Sequence, residues 1–184
     1  MSFSQDVKQE IAGHIPQSRS GALACLSAMF IQCGHRNALY EGRPALVFQT
    51  ENINAATMCF TLLKKTFNIY IDVCVRKAHT VQYILKVSGN DALQVSESVA
   101  VGNDADAFKS VILDDADEKR AFITGAFMCS GSMSDPLHSY HFEVVCSNGF
   151  QAEFLRNVID SFDIDGKIVI RKKYHVVYVK EGEQ

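Results

Sequence analysis

Proline is scarce, at three in 184 residues, and there is no low-complexity tract, so little disorder is expected outside the chain ends. No apolar run approaches the ~20 residues of a membrane-spanning helix, and no membrane partner is expected. Positive charge is not in excess either. A formal net charge of −3 and a pI near 6.0 argue against a dedicated nucleic-acid-binding domain, without excluding a local basic face. The six cysteines (Cys25, Cys33, Cys59, Cys74, Cys129 and Cys146) include no C-x-x-C pair and follow no secretory signal. They read as reduced, mostly buried thiols of a cytoplasmic protein. What remains is ordinary globular composition, 47% apolar and 21% charged, enough to build a core.

The opening "MSFSQDVKQEI" reads as an amphipathic helix, not a signal peptide. Phe3, Val7 and Ile11 recur at helical spacing, and Ser2 with Gln5 resembles a capping box. Beyond it the chain repeats itself. With Ala24 laid over Ala121, "ACLSAMFIQCG" covers "AFITGAFMCSG", then "LVFQTEN" covers "EVVCSNG", and "AATMCFTLL" covers "AEFLRNVID". Each half predicts a helix (19–33; 115–130), a hairpin whose second arm is 44–50 or 139–147, a second helix, and two closing strands. Ile69, Ile71, Val73 and Val75 alternate with Tyr70, Asp72, Cys74 and Arg76, as in a half-buried strand. The fold class is α+β: two pseudo-symmetric α-β-β-α-β-β repeats. Residues 1–100 hold the first helix and first repeat, 101–116 form an acidic connecting segment after an extra helix at 89–97, and 117–184 hold the second repeat.

A glycine inside the helix of "RAFITGAFMCSGSMSDP" costs roughly 1 kcal/mol against alanine and calls for a reason. Gly125 and its counterpart Ala28 suggest one: the two first helices pack closely, related by a pseudo-two-fold axis, with Ala28 and Gly125 at the contact. Both helices then stop at Gly34 and Gly131, residues suited to a C-terminal cap. The constellation resembles the LAGLIDADG homing-endonuclease fold, with "LSAMFIQCG" and "ITGAFMCSG" in the places of its two nine-residue motifs. That resemblance implies saddle-shaped antiparallel sheets lying over DNA, and a metal-holding acid just before the last glycine of each motif. Here those positions are Cys33 and Ser130. Hard divalent cations need oxygen ligands, chiefly carboxylates, so no enzymatic activity, metal or cofactor is expected.

The phrases "MSFSQDVKQEI", "GAFMCSGSMSDPLHSYHFEVVC" and "YHVVYVKEGEQ" together resemble the WhiA family of bacterial regulators. This resemblance covers essentially the whole chain. It implies a degenerate homing-endonuclease region, acting in sporulation gene control and in cell division or chromosome segregation, and a nucleoid-associated place in the cytoplasm. It also implies a C-terminal helix-turn-helix domain as the main DNA contact. This chain stops just after the strand carrying Tyr178, as a piece cut at a domain boundary or a naturally short relative would.

On the closing hairpins, Arg76, Lys77 and Lys86 in the first half and Arg171, Lys172 and Lys173 in the second are candidate DNA contacts through phosphate. The competing reading makes them solvated turn charges. Cys33 and Cys129 would approach each other across the pseudo-axis, but zinc normally takes four such ligands, and inert buried thiols are the simpler reading. The expected function is therefore a non-catalytic scaffold in a DNA-binding regulator. The alternative is a protein-interaction domain with no DNA binding of its own.

Overall fold

The computed structural model describes residues 2–40, 42–102 and 104–180, with the backbone alone for 37–40. Its elements run α1 (Phe3–Ala12), α2 (Arg19–Cys33), β1 (Gly34–Tyr40), β2 (Arg43–Thr50), α3 (Ile53–Phe67), β3 (Asp72–Lys77), β4 (Val81–Ser88), α4 (Asn90–Ser98), α5 (Ala105–Lys109), α6 (Ala116–Ser130), β5 (Gly131–Met133), β6 (His141–Cys146), α7 (Gly149–Asp160), β7 (Lys167–Arg171) and β8 (Tyr174–Lys180). The α-β-β-α-β-β order occurs twice. Each half builds one antiparallel four-stranded sheet, ordered β1-β2-β4-β3 and β5-β6-β8-β7. In each, the crossover helix carries the chain past the sheet, so the third strand becomes the outer edge.

Capping fixes where the helices start. Ser18 accepts from the Gly21 amide at 3.0 Å, and Asn52 accepts from Asn54 and Ala55. In the second half Asn148 accepts from Gln151, and Asp115 accepts from Glu118 at 2.8 Å while the Glu118 carboxylate takes the Asp114 amide. The acidic stretch before α6 thus supplies its N-cap and first turn, where carboxylates meet the positive end of the helix.

α2 is buried nearly all round, from Gly21 to Ile31 with only Leu23 partly open, because it lies between its own half and α6. The two helices make the most extensive contact between helices in the molecule. An added Cβ on Gly125 would overlap the Cys25 carbonyl oxygen and stand 3.0 Å from Ala28 Cβ, so the backbones come as close as glycine permits. One apolar core runs through both halves. The chain after α4, running into the connecting segment, joins it: Val99, Ala100, Val101 and Phe108 are buried, the Ala100 amide donates to Ser27 Oγ, and Phe108 packs on Phe154 at 5.4 Å.

Gly34 and Gly131 are the C-caps of α2 and α6, as expected, their amides donating to the Phe30 and Phe127 carbonyls, with the backbone extended at φ −101° and −91°. Their lack of a side chain has another cause: a Cβ there would strike Phe30 or Phe127, over which the strand folds back. β3 is not half-buried but exposed along its whole length, since it is the outer edge and projects past the helices. In α1, the residue most deeply buried is not in the apolar stripe of Phe3, Val7 and Ile11; it is Lys8.

Candidate nucleic-acid interface and the base of the helix pair

Cross-strand register assigns the two faces of each sheet. Leu46 and Phe48 pair with Val87 and Leu85 and belong to the core, as do Val144 and Val177. Side chains alternate along a strand. The face away from the helices therefore holds His35, Val47, Gln49, Asp72, Cys74, Arg76, Gln82, Ile84 and Lys86 in the first sheet. In the second it holds Ser132, His141, Glu143, Val145, Lys167, Val169, Arg171, Val176, Tyr178 and Lys180.

This divides the basic candidates. Arg76 and Lys86 share the open face, and Lys86 stands in register with Asp72. Lys77 points to the other face, with Val73 and Val75. Arg171 is on the open face, whereas Lys172 and Lys173 form the β7–β8 turn, exposed at its tip, with Lys173 Nζ 5.4 Å from the centre of the Tyr174 ring. No single strip gathers all six.

Much of the polar surface is already engaged. Gln49 donates to Gln82 at 3.3 Å, and Gln82 and Thr80 donate to Glu51 at 2.9 and 3.1 Å. Glu143 takes His141 Nε2 at 2.9 Å and, loosely, the Arg171 guanidinium at 3.4 and 3.5 Å; His141 stacks on Tyr178. The His141 hydrogen bond, followed by Arg171 and opposed by burial, holds the Glu143 carboxyl below its ordinary 4.5. Val47, Ile84 and Val176 stand between these groups and are themselves buried. Direct base reading wants free bidentate donors such as Arg, Gln or Asn. The faces offer few.

At the base of the helix pair, Ser130 donates to the Val145 carbonyl at 2.8 Å, so its hydroxyl serves the sheet. Beside Cys33 lies Cys129, one residue earlier in α6, whose thiol donates to the Met29 carbonyl of α2 at 3.9 Å. Neither is sealed in: both are partly buried and line a cavity of about 480 Å³ with Gln5, Gln49, Thr50, Glu51, Asn52 and Gln82. The expectation of full burial is thereby corrected for this pair. It fits Cys25 and Cys146, whose thiols burial pushes up to about 12, and Cys59, which burial also raises.

α1 braces this place. Ser4 Oγ donates to the Met133 carbonyl and accepts from its amide, both at 2.8 Å, and Gln5 accepts from Asn52 Nδ2 at 3.2 Å, so the helix ties β5 of one half to the start of α3 in the other. Lys8, 6% exposed, lies over the Phe127 ring at 5.3 Å and close enough to both thiols to feel their charge. Burial lowers its pKa, and the thiols oppose that. Sequence periodicity gave no sign of Lys8, since a lysine in a surface helix is expected to face water. Among the described residues, no group of three or more His, Cys, Asp or Glu is placed to hold a metal ion, and no helix is long and apolar enough to cross a membrane.

Comparison with known proteins agrees with this geometry. Residues 119–184 match the family model of the WhiA LAGLIDADG-like domain. A probable cell division protein WhiA from Lachnoclostridium phytofermentans is 40% identical over all of this chain and 62% of its own length, and one from a Thermoanaerobacter species is 33% identical with the same coverage. The chain thus spans 62% of the curated relatives it matches. Full-length DUF199/WhiA from Thermatoga maritima superposes on 98% of the chain with a TM-score of 0.75 at 18% identity, the chain covering 58% of it. I-DmoI, in a crystal structure with DNA and Mn, superposes on 89% with a TM-score of 0.62 at 18% identity, over 91% of its own length. These two structural likenesses bear on the fold.

Proposed function

Because this chain belongs to the WhiA family, we propose that it is a non-catalytic, homing-endonuclease-derived scaffold within a DNA-associated regulator of cell division and sporulation. The observation that carries the reading is the base of the helix pair. Cys33 and Ser130 stand where the resemblance implies metal-holding acids; Ser130 is turned to a strand carbonyl, and the buried ammonium of Lys8 lies beside Cys33. A cation at that place repels a divalent metal ion, and the one carboxylate among the described residues that line the cavity, Glu51, already accepts from Thr80 and Gln82.

DNA contact by this region would rest on phosphate. Arg76 and Lys86 on one open face, and Arg171, Lys172 and Lys173 on and beside the other, supply charge without a base-reading array. The main sequence-specific contact is assigned to a helix-turn-helix domain in the longer relatives. A second reading, a protein-interaction surface, is favoured by an apolar cleft lined by Met133, Pro136, Tyr140, Phe142 and Val179, beside which Leu137 is 90% exposed.

The test is a DNA titration of the chain at two salt concentrations with Mg²⁺ present, products being resolved on a gel. Intact DNA and weak binding that falls steeply with salt are expected, with the slope reduced by about one for each of Arg76 and Lys172 removed. Cleavage would overturn the non-catalytic assignment. No binding at either salt would leave the protein-facing reading.

A further inference from the structure

Three of the six cysteines are sealed in the core, and Cys74 is exposed on β3. Cys33 and Cys129 differ from all four. They come from the last turns of α2 and α6, below the point where Ala28 and Gly125 bring the two backbones almost into contact. The Cys129 thiol donates to the carbonyl of Met29, one turn before Cys33 in α2, at 3.9 Å, and both cysteines line the same cavity. Lys8, a cation more than nine-tenths buried and with no carboxylate partner among the described ion pairs, sits beside them.

We propose that Cys33 and Cys129 are a modification site for hydrogen peroxide, which converts the pair into a disulfide joining the two halves of the molecule. The Cys33 thiolate attacks one peroxide oxygen and the O–O bond breaks; the departing hydroxide takes a proton and leaves as water, and Cys33 is left as a sulfenic acid. Cys129 sulfur then attacks the Cys33 sulfur. The S–S bond forms, the S–O bond breaks, and the Cys129 proton leaves with the hydroxyl as a second water. Two thiols lose two electrons, and peroxide gains them.

The roles follow from the surroundings. The neighbouring Cys129 thiol lowers the Cys33 pKa, burial opposes this, and the Lys8 charge lowers it again. Burial, followed by the neighbouring Cys33, raises Cys129, which therefore keeps its proton until it resolves the sulfenic acid. The cavity gives a molecule as small as peroxide a path to the pair. The product would pin the ends of both helices and with them the relative setting of the two sheets. This inference does not depend on whether the open faces bind DNA.

The test is peroxide treatment of the whole 184-residue chain, alkylation of the remaining thiols, and peptide mapping without reductant. The expected result is a loss of about 2 Da from the intact chain and fragment spectra that place one bond between Cys33 and Cys129. In Cys129→Ser, a sulfenic-acid probe should label Cys33. Lys8→Met should slow the oxidation several-fold and Lys8→Arg should restore it, a split that a merely structural role for Lys8 would not produce. The wild-type map needs no variant to fold. If both thiols are alkylated as readily after peroxide as before, or if oxidation is confined to Cys74, the proposal is wrong.

Discussion

At Gly125 a single hydrogen atom sets how near two helices come. Replacing glycine by alanine in a helix interior ordinarily gains about 1 kcal/mol. Here the added methyl would overlap the Cys25 carbonyl, and overpacking of that kind costs about 1–3 kcal/mol. Gly125→Ala is therefore expected to destabilise, lowering the thermal midpoint by roughly 2–4 °C per kcal/mol lost, as read by circular dichroism. A gain in stability would mean that the helices are not in contact there. The small residue could be picked out in the sequence because it broke a propensity rule. Gly34 and Gly131 were equally visible as helix ends, but not their cause, because a contact with the phenylalanine one turn back depends on how the strand leaves the helix. Lys8 was less legible still. Nothing local distinguishes a lysine that folds under an aromatic ring from one that faces water.

Among the elements, the helices were the most readable, since caps such as Ser18, Asn52 and Asn148 are written into the chain next to apolar stripes. The edge strands were the least. The alternation around Val73 and Val75 is the same whether a strand lies beneath a helix or projects past it, and only the sheet order places β3 outside. The β7–β8 hairpin shows how local backbone demand and charge are combined at an edge. Lys172 sits in its tight turn at φ +58°, a left-handed conformation that costs a residue with a Cβ about 1–2 kcal/mol. Lys172→Gly is expected to recover about 0.5–1 kcal/mol of this in chemical denaturation, and Lys172→Val to lose stability, because a β-branched side chain tolerates the region worst. A lysine kept in a place suited to glycine is consistent with value in its charge, either against edge-to-edge pairing or toward phosphate.

At the scale of the whole molecule, the duplication was legible because two copies of one pattern reinforce each other, whereas the segment between them read only as an acidic connector. In the structure Val101 and Phe108 of that segment are core residues, so the halves share one interior. A single cooperative transition is expected in calorimetry, with calorimetric and van't Hoff enthalpies equal. Two resolved transitions would mean that the halves are separable units. The same arrangement bears on how the chain is made. α2 is apolar on nearly every side, yet the helix that covers its second side, α6, lies far along the chain. On the ribosome, the first half emerges with this helix uncovered and must wait for the opening helix of the second half before it can close. During that interval the bare flank of α2 is the natural target for a chaperone, and for misassociation with another nascent copy.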